Sequence, residues 1–180
     1  MNWKDRTSCV LFGDAAGASV LSATEGENRI LGTKLRSDGA LGELLSIDHG
    51  GTRVPPYSSE YRHEKHKIQM QGKEIYKHAV RNMIDVAKEL LAQNEMTTKD
   101  VDFFIFHQAN MRIIESCMKT LGVTEDRTWL NVSKYGNTSS ATMPVCLEEA
   151  IAAKKIGPGS LVLLSTFGGG LTWGAALIRL

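Results

Sequence analysis

Three places in the sequence combine residue types that could act together on a carbonyl group. His107 directly follows the apolar run FFIF, Asn137 ends the polar stretch SKYGN, and Gly168 to Gly170 is a run of three glycines. A histidine and an asparagine can both donate hydrogen bonds to a carbonyl oxygen that becomes negative, and glycines let a substrate approach backbone N–H groups. The combination favours acyl or enolate chemistry. The alternative is that His107 only satisfies a local hydrogen bond and that the spacing is accidental.

Each of the three places follows a predicted strand. The first strand, Phe103 to Phe106, is a continuous apolar run, which is typical of a strand buried on both faces of a sheet. Trp129 to Val132 and Leu161 to Thr166 are predicted to be the other two strands. If the three strands run parallel in one sheet, the loops that follow them share one edge, where open α/β sheets bind ligands.

Three amphipathic helices are predicted around these strands. Asn110 is a predicted helix N-cap, and Gly122 is the predicted left-handed residue that ends the same helix. Cys117 and Cys146 fall within predicted helices, so we expect them to be structural. Apolar residues recur at steps of three and four in residues 72–94 (Ile75, Ala79, Met83, Val86, Leu90), after Asn110 (Ile114, Cys117, Met118, Leu121) and from Ser139 or Ser140 onward (Met143, Leu147, Ala150, Ile151).

The remaining pattern completes an α/β fold. Residues 37–67 contain glycines, two adjacent prolines and scattered charges, so they are predicted to form a long irregular loop. The predicted element order is β-β followed by β-α-β-α-β-α-β-β, which indicates a mixed sheet flanked by helices. The further strands and the turn of this order are Ser8 to Phe12, Ala18 to Leu21, Ile30 to Leu35, Thr172 to Ile178, and the turn Glu25 to Arg29.

The composition excludes several classes of function. The net charge of +1 predicts no general attraction to nucleic acid or membrane, and no apolar run is long enough to span a bilayer. Three widely spaced cysteines argue against a disulfide framework or a zinc site and favour a reducing, cytoplasmic setting. The pair His63 and His66 has a spacing seen in metal sites, but no acidic or cysteine cluster surrounds it. We therefore expect a solvated loop there, and no metal or cofactor.

Five motifs, taken in order, resemble the C-terminal half of the β-ketoacyl-(acyl-carrier-protein) synthase III family. The glycine loop FGGGLTWG resembles this branch of the superfamily more than the chalcone-synthase-like enzymes, which carry a GFGPG-type loop. The motifs are FGDAAGA (Phe12 to Ala18), GELL (Gly42 to Leu45), HQANMRII (His107 to Ile114), YGNTSSAT (Tyr135 to Thr142) and FGGGLTWGAAL (Phe167 to Leu177).

The resemblance implies a thiolase-like fold built from two similar halves. Residues 1–24 then correspond to the last two strands of the N-terminal half, and residues 25–180 to the C-terminal half. The family's enzymes are acyltransferases that take an acyl group from acyl-coenzyme A onto a cysteine. They then condense it with malonyl-acyl-carrier-protein, with loss of carbon dioxide, to initiate fatty acid biosynthesis. No cofactor is expected beyond these substrates. A homodimer is also expected, because a two-half fold that is cut exposes a large apolar interface.

The resemblance assigns catalytic roles to four residues. His107 and Asn137 match the histidine and asparagine that hold the malonyl thioester carbonyl and stabilise the enolate left by decarboxylation. Gly169 matches a glycine whose backbone N–H serves the oxyanion of the acyl-cysteine, and Phe167 matches a phenylalanine next to the reacting carbons. The nucleophilic cysteine has no counterpart among the three cysteines of this chain, so it is expected on the missing N-terminal half.

Binding residues follow from the resemblance in the same way. Arg6 matches an arginine that contacts the adenine end of coenzyme A, and Gly72 matches the wall of the pantetheine channel, although Lys73 replaces an asparagine found there in some members. Lys77, Arg112 and Lys119 match basic positions implicated in docking the acyl-carrier protein.

Two points stay open. The basic stripe of Lys73, Lys77 and Arg81 is either a solvated helix face or a surface for an acidic partner. The chain is either half of an active synthase, a fragment that only binds carrier protein, or half of another condensing enzyme, such as a hydroxymethylglutaryl-coenzyme-A-synthase-like or quinolone-type enzyme.

Overall fold

The computed structural model describes residues 1–27 and 29–180, so Asn28, in the predicted turn Glu25 to Arg29, lies outside the described residues. The strands are β1 (Ile30–Ser37), β2 (Leu45–Ile47), β3 (Ile68–Met70), β4 (Phe103–Phe106), β5 (Leu161–Gly168) and β6 (Thr172–Arg179). The α-helices are α1 (Gly72–Gln93), α2 (Met111–Leu121), α3 (Val132–Tyr135) and α4 (Thr142–Ala152). Short 3₁₀ helices span Gly39–Leu44, His63–Lys65, Glu125–Arg127 and Ser139–Ala141. Among the described residues, no helix combines the length and apolar character needed to cross a membrane.

Four strands form a mixed sheet in the order β1-β6-β5-β4. Strands β4 and β5 are parallel, with Phe106 opposite Ser165, whereas β6 is antiparallel to both β5 and β1. The predicted mixed sheet flanked by helices is therefore confirmed. Because β4 and β5 run in the same direction, the chain leaves both strands at the same edge of the sheet.

The side chains of β4 alternate between two buried layers, as the period of a strand requires. Phe104 and Phe106 pack in the larger apolar cluster with α1 and α2, and Phe103 and Ile105 pack in a smaller cluster with α4. All four are at most 2% exposed. The prediction of a strand buried on both faces is confirmed.

The predicted core stripes of α1 and α2 are buried. The Oδ1 of Asn110 accepts a hydrogen bond from the Arg112 N–H at 2.9 Å, and Gly122 ends α2 with a φ of +68°. Both predicted caps are thus confirmed. In α4 the stripe is only partly right, because Ala150 is buried whereas Ile151 is 45% exposed. The face of α4 that packs on β4 carries Cys146 and Ala150, and Ile151 lies outside it.

The two strands predicted before residue 24 are wrong for the described chain. Ser8 to Leu11 lie in turns, and Phe12 makes one isolated parallel bridge, to Asn137. A strand requires a hydrogen-bonded neighbour, and within the described residues Ala18 to Leu21 make no backbone hydrogen bond. The division of the chain at residue 24 stays a prediction.

The strand predicted over Trp129 to Val132 is also wrong. Only Thr128 bridges β4, and the one-turn helix α3 begins at Val132. The side chain of Gln108 takes the place of a neighbouring strand. Its Oε1 accepts from the N–H groups of Asn131 and Val132 at 3.0 and 3.1 Å, and its Nε2 donates to the Trp129 carbonyl at 3.2 Å. Because a side chain satisfies these backbone groups, no strand ladder is needed.

The predicted irregular segment from Ser37 to Lys67 contains more structure than expected. The 3₁₀ helix Gly39–Leu44 is capped by Asp38, whose Oδ1 accepts from the Ala40 N–H at 3.1 Å. Strand β2 then pairs with β3 in an antiparallel two-stranded sheet. Each of these strands has three residues, which is too short for an alternating pattern to be recognised.

Candidate active site

A cleft of about 1550 Å³ opens at the edge of the sheet where β4 and β5 end. Its lining includes His107, Asn137, Phe167 and Gly169. The three places that the sequence predicts to share one edge are therefore brought together. Asn137 reaches this edge through the loop after α3 rather than from the end of a strand.

His107 continues the β4–β5 ladder before the chain turns into α2. Its backbone N–H donates to the Ser165 carbonyl at 2.9 Å, and its ring Nδ1 lies 2.6 Å from the Thr142 hydroxyl oxygen. The side chain is 8% exposed, and burial lowers the pKa of His107 from 6.5 to about 4. The imidazole is therefore neutral near pH 7, and Nε2 is the ring nitrogen left for the cleft.

Asn137 is held by its own backbone and by its side chain. Its N–H donates to the Leu11 carbonyl at 2.8 Å, and its carbonyl accepts from the Gly13 N–H at 3.0 Å. Its side-chain Oδ1 accepts from the Ser139 N–H at 2.9 Å. Because the amide oxygen is engaged in this way, Nδ2 is the donor end available to a ligand.

The glycine run forms the turn between β5 and β6, as predicted. Phe167, at the end of β5, is 7% exposed and pairs with Trp173 across the hairpin. Gly170 has a φ of +135°, a conformation that residues with a side chain rarely adopt. A Cβ added at Gly169 would lie 3.2 Å from the Leu45 carbonyl oxygen. This turn therefore approaches neighbouring backbone closely at the wall of the cleft.

All of the charged residues that line the cleft are basic: Arg36, Lys73, Lys77 and Arg112. Arg36 is paired with Glu89 at 2.9 Å, and Lys77 is paired with Glu74 at 2.7 Å. Within the described residues, Lys73 and Arg112 make no ion pair. A cleft lined by one sign of charge favours an anionic ligand.

Of the residues predicted to bind substrate or carrier protein, some line the cleft and others lie outside it. Gly72, the first residue of α1, lines the cleft together with Lys77 and Arg112. Arg6 is exposed and does not line the cleft, although its neighbour Thr7 does. Lys119 lies exposed in the last turn of α2, also outside the lining.

None of the three cysteines lines the cleft. Cys117 and Cys146 are buried, and burial raises the pKa of each thiol to about 12. Cys9 is half-buried and free. A thiol with a pKa near 12 is almost entirely protonated at pH 7, so neither buried cysteine is suited to act as a nucleophile.

The histidine pair of the long loop shows no metal-site geometry. His63 and His66 are both exposed, and the His66 Nδ1 lies 3.1 Å from the Tyr61 hydroxyl. Across residues 1–27 and 29–180, no group of three or more histidine, cysteine or acidic residues is placed to hold a metal ion.

Two residues that organise the site were not predicted from the sequence. Thr142 contacts His107 from 35 positions away, so no local pattern could reveal it. The second is Glu149, on α4. Burial raises the pKa of Glu149. The hydrogen bonds to its carboxylate and the nearby Lys134 lower the pKa by more than burial raises it, and the result is about 2 instead of 4.5. The donors around this carboxylate are Asn131 Nδ2 (2.7 Å), Tyr135 Oη (2.7 Å), Trp129 Nε1 (2.8 Å) and Lys134 Nζ (3.5 Å).

Comparison with known proteins agrees with this fold. The family model described as 3-Oxoacyl-[acyl-carrier-protein (ACP)] synthase III C terminal matches residues 91–180, and the model described as 3-Oxoacyl-[acyl-carrier-protein (ACP)] synthase III matches residues 1–39. The chain is 50% identical over 182 residues to the beta-ketoacyl-[acyl-carrier-protein] synthase III of Nitratidesulfovibrio vulgaris (strain DP4), covering 99% of this chain and 55% of the relative.

Solved structures give the same result. The crystal structure of 3-oxoacyl-[acyl-carrier-protein] synthase III from Aquifex aeolicus VF5 superposes with a TM-score of 0.89 at 40% identity, covering 99% of this chain and 53% of that one. The enzyme from Thermus thermophilus superposes with a TM-score of 0.84 at 35% identity, covering 100% and 55%. The fold is therefore thiolase-like. The chain belongs to the β-ketoacyl-(acyl-carrier-protein) synthase III family and spans about half the length of these relatives.

Proposed function

We propose that this chain is the C-terminal half of a 3-oxoacyl-(acyl-carrier-protein) synthase III. The complete enzyme would condense an acyl-coenzyme A with malonyl-acyl-carrier-protein by decarboxylative Claisen condensation and so initiate fatty acid biosynthesis. One observation carries the proposal: His107 and Asn137 line the same cleft. In each side chain the second polar atom is engaged by the protein, His107 Nδ1 by Thr142 and Asn137 Oδ1 by Ser139.

In this mechanism the two side chains hold the thioester carbonyl of the malonyl group. The C–C bond to the malonyl carboxylate breaks, carbon dioxide leaves, and the electron pair moves onto the carbonyl oxygen as an enolate. Hydrogen bonds from His107 Nε2 and Asn137 Nδ2 stabilise this negative oxygen. Each such donor contributes roughly a hundredfold to a thousandfold in rate.

The enolate carbon then attacks the acyl thioester carried by the nucleophilic cysteine. A C–C bond forms, the C–S bond breaks, and the cysteine leaves as a thiolate. The Gly169 N–H serves the oxyanion of this step, and Phe167 packs beside the reacting carbons. The nucleophile belongs to a part of the protein outside these 180 residues, because none of the cysteines here lines the cleft.

The positive charge of the cleft favours binding of phosphate-bearing ligands and acidic proteins. Coenzyme A carries phosphates, and acyl-carrier proteins are acidic, so the basic lining and Lys119 would steer both. Gly72 has no neighbouring atom within 4 Å of an added Cβ. Packing within this chain therefore does not require glycine at that position, which agrees with a wall kept free for pantetheine. Arg6 would contact the adenine end.

Malonyl decarboxylation in the complete protein tests the roles of the two donors. We expect His107→Ala and Asn137→Ala each to lower the rate about a hundredfold or more. His63→Ala, which removes an exposed histidine outside the cleft, is the matched control and should have the wild-type rate. Wild-type decarboxylation in both cleft variants would refute the assignment.

Acyl transfer tests the position of the nucleophile. After incubation with labelled acetyl-coenzyme A, the 180-residue chain should carry no stable thioester, and the complete protein should carry one per active site. A stoichiometric thioester on any cysteine of this chain would contradict the proposal. Assaying the complete protein with malonyl-acyl-carrier-protein against acetyl- or malonyl-coenzyme A partners would separate this enzyme from a hydroxymethylglutaryl-coenzyme-A-synthase-like or quinolone-type enzyme.

The basic cleft also favours a second candidate function, that of a carrier-protein-binding module without catalysis. Binding of acyl-carrier protein to this chain should weaken with salt and with Arg112→Glu. Malonyl decarboxylation by the complete protein would exclude this alternative. Absence of acyl-carrier-protein binding to this chain at low salt would exclude it as well. The expected homodimer is tested by sedimentation of the 180-residue chain; a monodisperse monomer would contradict it.

A further inference from the structure

Thr142 is the only hydrogen-bonding partner of the His107 ring among the described residues. Its hydroxyl oxygen lies 2.6 Å from Nδ1. Thr142 is the first residue of α4 and is 1% exposed, so water does not compete for this contact. A neutral imidazole carries one ring proton, and the partner at Nδ1 decides whether that proton resides on Nδ1 or on Nε2.

We infer that Thr142 is a positioning residue whose hydroxyl donates to Nδ1 of His107 and thereby keeps the proton on Nε2, facing the cleft. The direction of this hydrogen bond is a property of the chain itself. Only its catalytic consequence rests on the proposed function.

The Thr142 hydroxyl has one hydrogen and two possible acceptors. The Ser139 carbonyl oxygen lies 2.9 Å from the hydroxyl oxygen, and His107 Nδ1 lies 2.6 Å from it. The shorter distance fits an O–H donor, since N–H donors usually lie 2.7–3.2 Å from oxygen. The Ser139 carbonyl already accepts from the backbone N–H of Thr142, so it keeps a partner when the hydroxyl turns to the ring.

The tautomer matters because the ring is neutral at physiological pH. Burial lowers the pKa of His107 to about 4, so a second proton is not available to make both nitrogens donors. With the proton on Nδ1, Nε2 would present a lone pair and would repel a negative oxygen. With the proton on Nε2, His107 is the donor that an enolate requires.

Nitrogen-15 NMR of histidine-labelled complete protein tests the inference directly, because protonated and unprotonated ring nitrogens have distinct chemical shifts. His107 should show a protonated Nε2 and an unprotonated Nδ1, with the resonances assigned by comparison with His107→Gln. Thr142→Val removes the hydroxyl at nearly constant shape and should move the proton to Nδ1 in at least part of the molecules. Thr142→Ser keeps the hydroxyl and should retain the wild-type shifts.

Malonyl decarboxylation gives the catalytic readout. Thr142→Val should lower the rate on the order of tenfold to a hundredfold, and Thr142→Ser should restore it to within about twofold. Thr128→Val is the matched control. Thr128 is also buried and donates to the Phe104 carbonyl at 2.8 Å, but it does not contact His107. Loss of the Thr128 hydrogen bond should lower the stability of the fold without changing the His107 tautomer.

Three results would overturn the inference: a protonated Nδ1 in the wild type, an unchanged tautomer in Thr142→Val, or the same tautomer change in Thr128→Val. If Thr142→Val changes the tautomer but not decarboxylation, the inference holds and the enolate role of His107 fails. The two proposals are therefore separated by one pair of measurements.

Discussion

Residues 29–180, here called the body, and residues 1–27, the N-terminal segment, contain apolar runs of similar kind that become different structures. In the body, β4 pairs with β5 and is covered by helices on both faces. In the N-terminal segment, Val10 and Val20 are 65% and 96% exposed, and neither lies in a strand. An apolar run becomes a strand only where a paired neighbour and a covering layer are present. In the proposed complete enzyme, the N-terminal half would supply both.

The N-terminal segment still contributes to the site, although it has no core of its own. Its backbone is joined to the body by the parallel β-bridge between Phe12 and Asn137. In this bridge the Asn137 N–H donates to the Leu11 carbonyl, and the Gly13 N–H donates to the Asn137 carbonyl. The body thus provides the histidine side of the cleft, at the end of the buried strand β4. The N-terminal segment helps to hold the asparagine side.

The largest expected difference between the two regions is in core packing. Phe104→Ala in the body should lower the free energy of unfolding by about 3–5 kcal/mol, because Phe104 is fully buried between the sheet and the helices. Val20→Ala in the N-terminal segment should change it by less than about 0.5 kcal/mol. Urea unfolding of this chain measures both values. Equal losses would show that the N-terminal segment is packed.

The next effect is a pH dependence located in the body. The folded pKa of Glu149, about 2, lies below its ordinary value of 4.5, so its stabilisation is complete above pH 4.5 and is lost as the pH falls toward 2. The loss amounts to about 3 kcal/mol. Glu149→Gln should remove this part of the acid dependence of urea unfolding.

Asp5 is the matched carboxylate in the N-terminal segment. Hydrogen bonds from the side chains of Thr7 and Ser8, followed by the Thr7 N–H, lower the pKa of Asp5, but the residue is only half-buried and these partners are all within three positions. Solvent screens this carboxylate, so Asp5→Asn should change the pH dependence of unfolding less than Glu149→Gln does. If Asp5→Asn removed more of the acid dependence of unfolding than Glu149→Gln, the assignment of this dependence to the body would be wrong.

A smaller effect is expected where the two regions meet. A Cβ at Gly13 would lie 1.9 Å from the Tyr135 carbonyl oxygen, so Gly13→Ala must displace the bridge to Asn137. We expect a loss of about 1–2 kcal/mol in stability and faster proteolysis within residues 1–27. Gly51→Ala, at a position where an added Cβ meets nothing within 4 Å, is the control. Unchanged proteolysis in Gly13→Ala would show that the bridge does not hold the segment.

The smallest stability effect is expected at Gly72. Gly72→Ala adds a Cβ in open space at the start of α1, so stability should stay the same or rise by up to about 1 kcal/mol. Under the proposed function, the same change should raise the KM for acyl-coenzyme A in the complete protein. An unchanged KM would remove Gly72 from the proposed pantetheine wall.

Much of the fold could be predicted because its patterns are local. The apolar run of β4 and the stripes of α1 and α2 are set by spacing within one element, and the caps Asn110 and Gly122 are set by single residues. The failures have a different cause. The stretch from Trp129 to Val132 resembles a strand, but Gln108 satisfies its backbone.

The candidate site shows the same limit. His107 and the glycine turn could be placed at one edge from their position after strands. Asn137 was predicted at the same edge, but from a strand over Trp129 to Val132 that does not form. Thr142 and Glu149 could not be found, because each acts through partners that are distant in sequence.

By itself, the sequence determined the α/β class, the main helices and strands, the basic and cysteine content, and the family through its ordered motifs. The tertiary structure alone decided which groups meet: Thr142 with His107, Glu149 with the loop before Asn137, and the N-terminal segment with Asn137. The physical reason is that periodicity and capping act over a few residues, whereas hydrogen-bond partners are chosen by the path of the folded backbone.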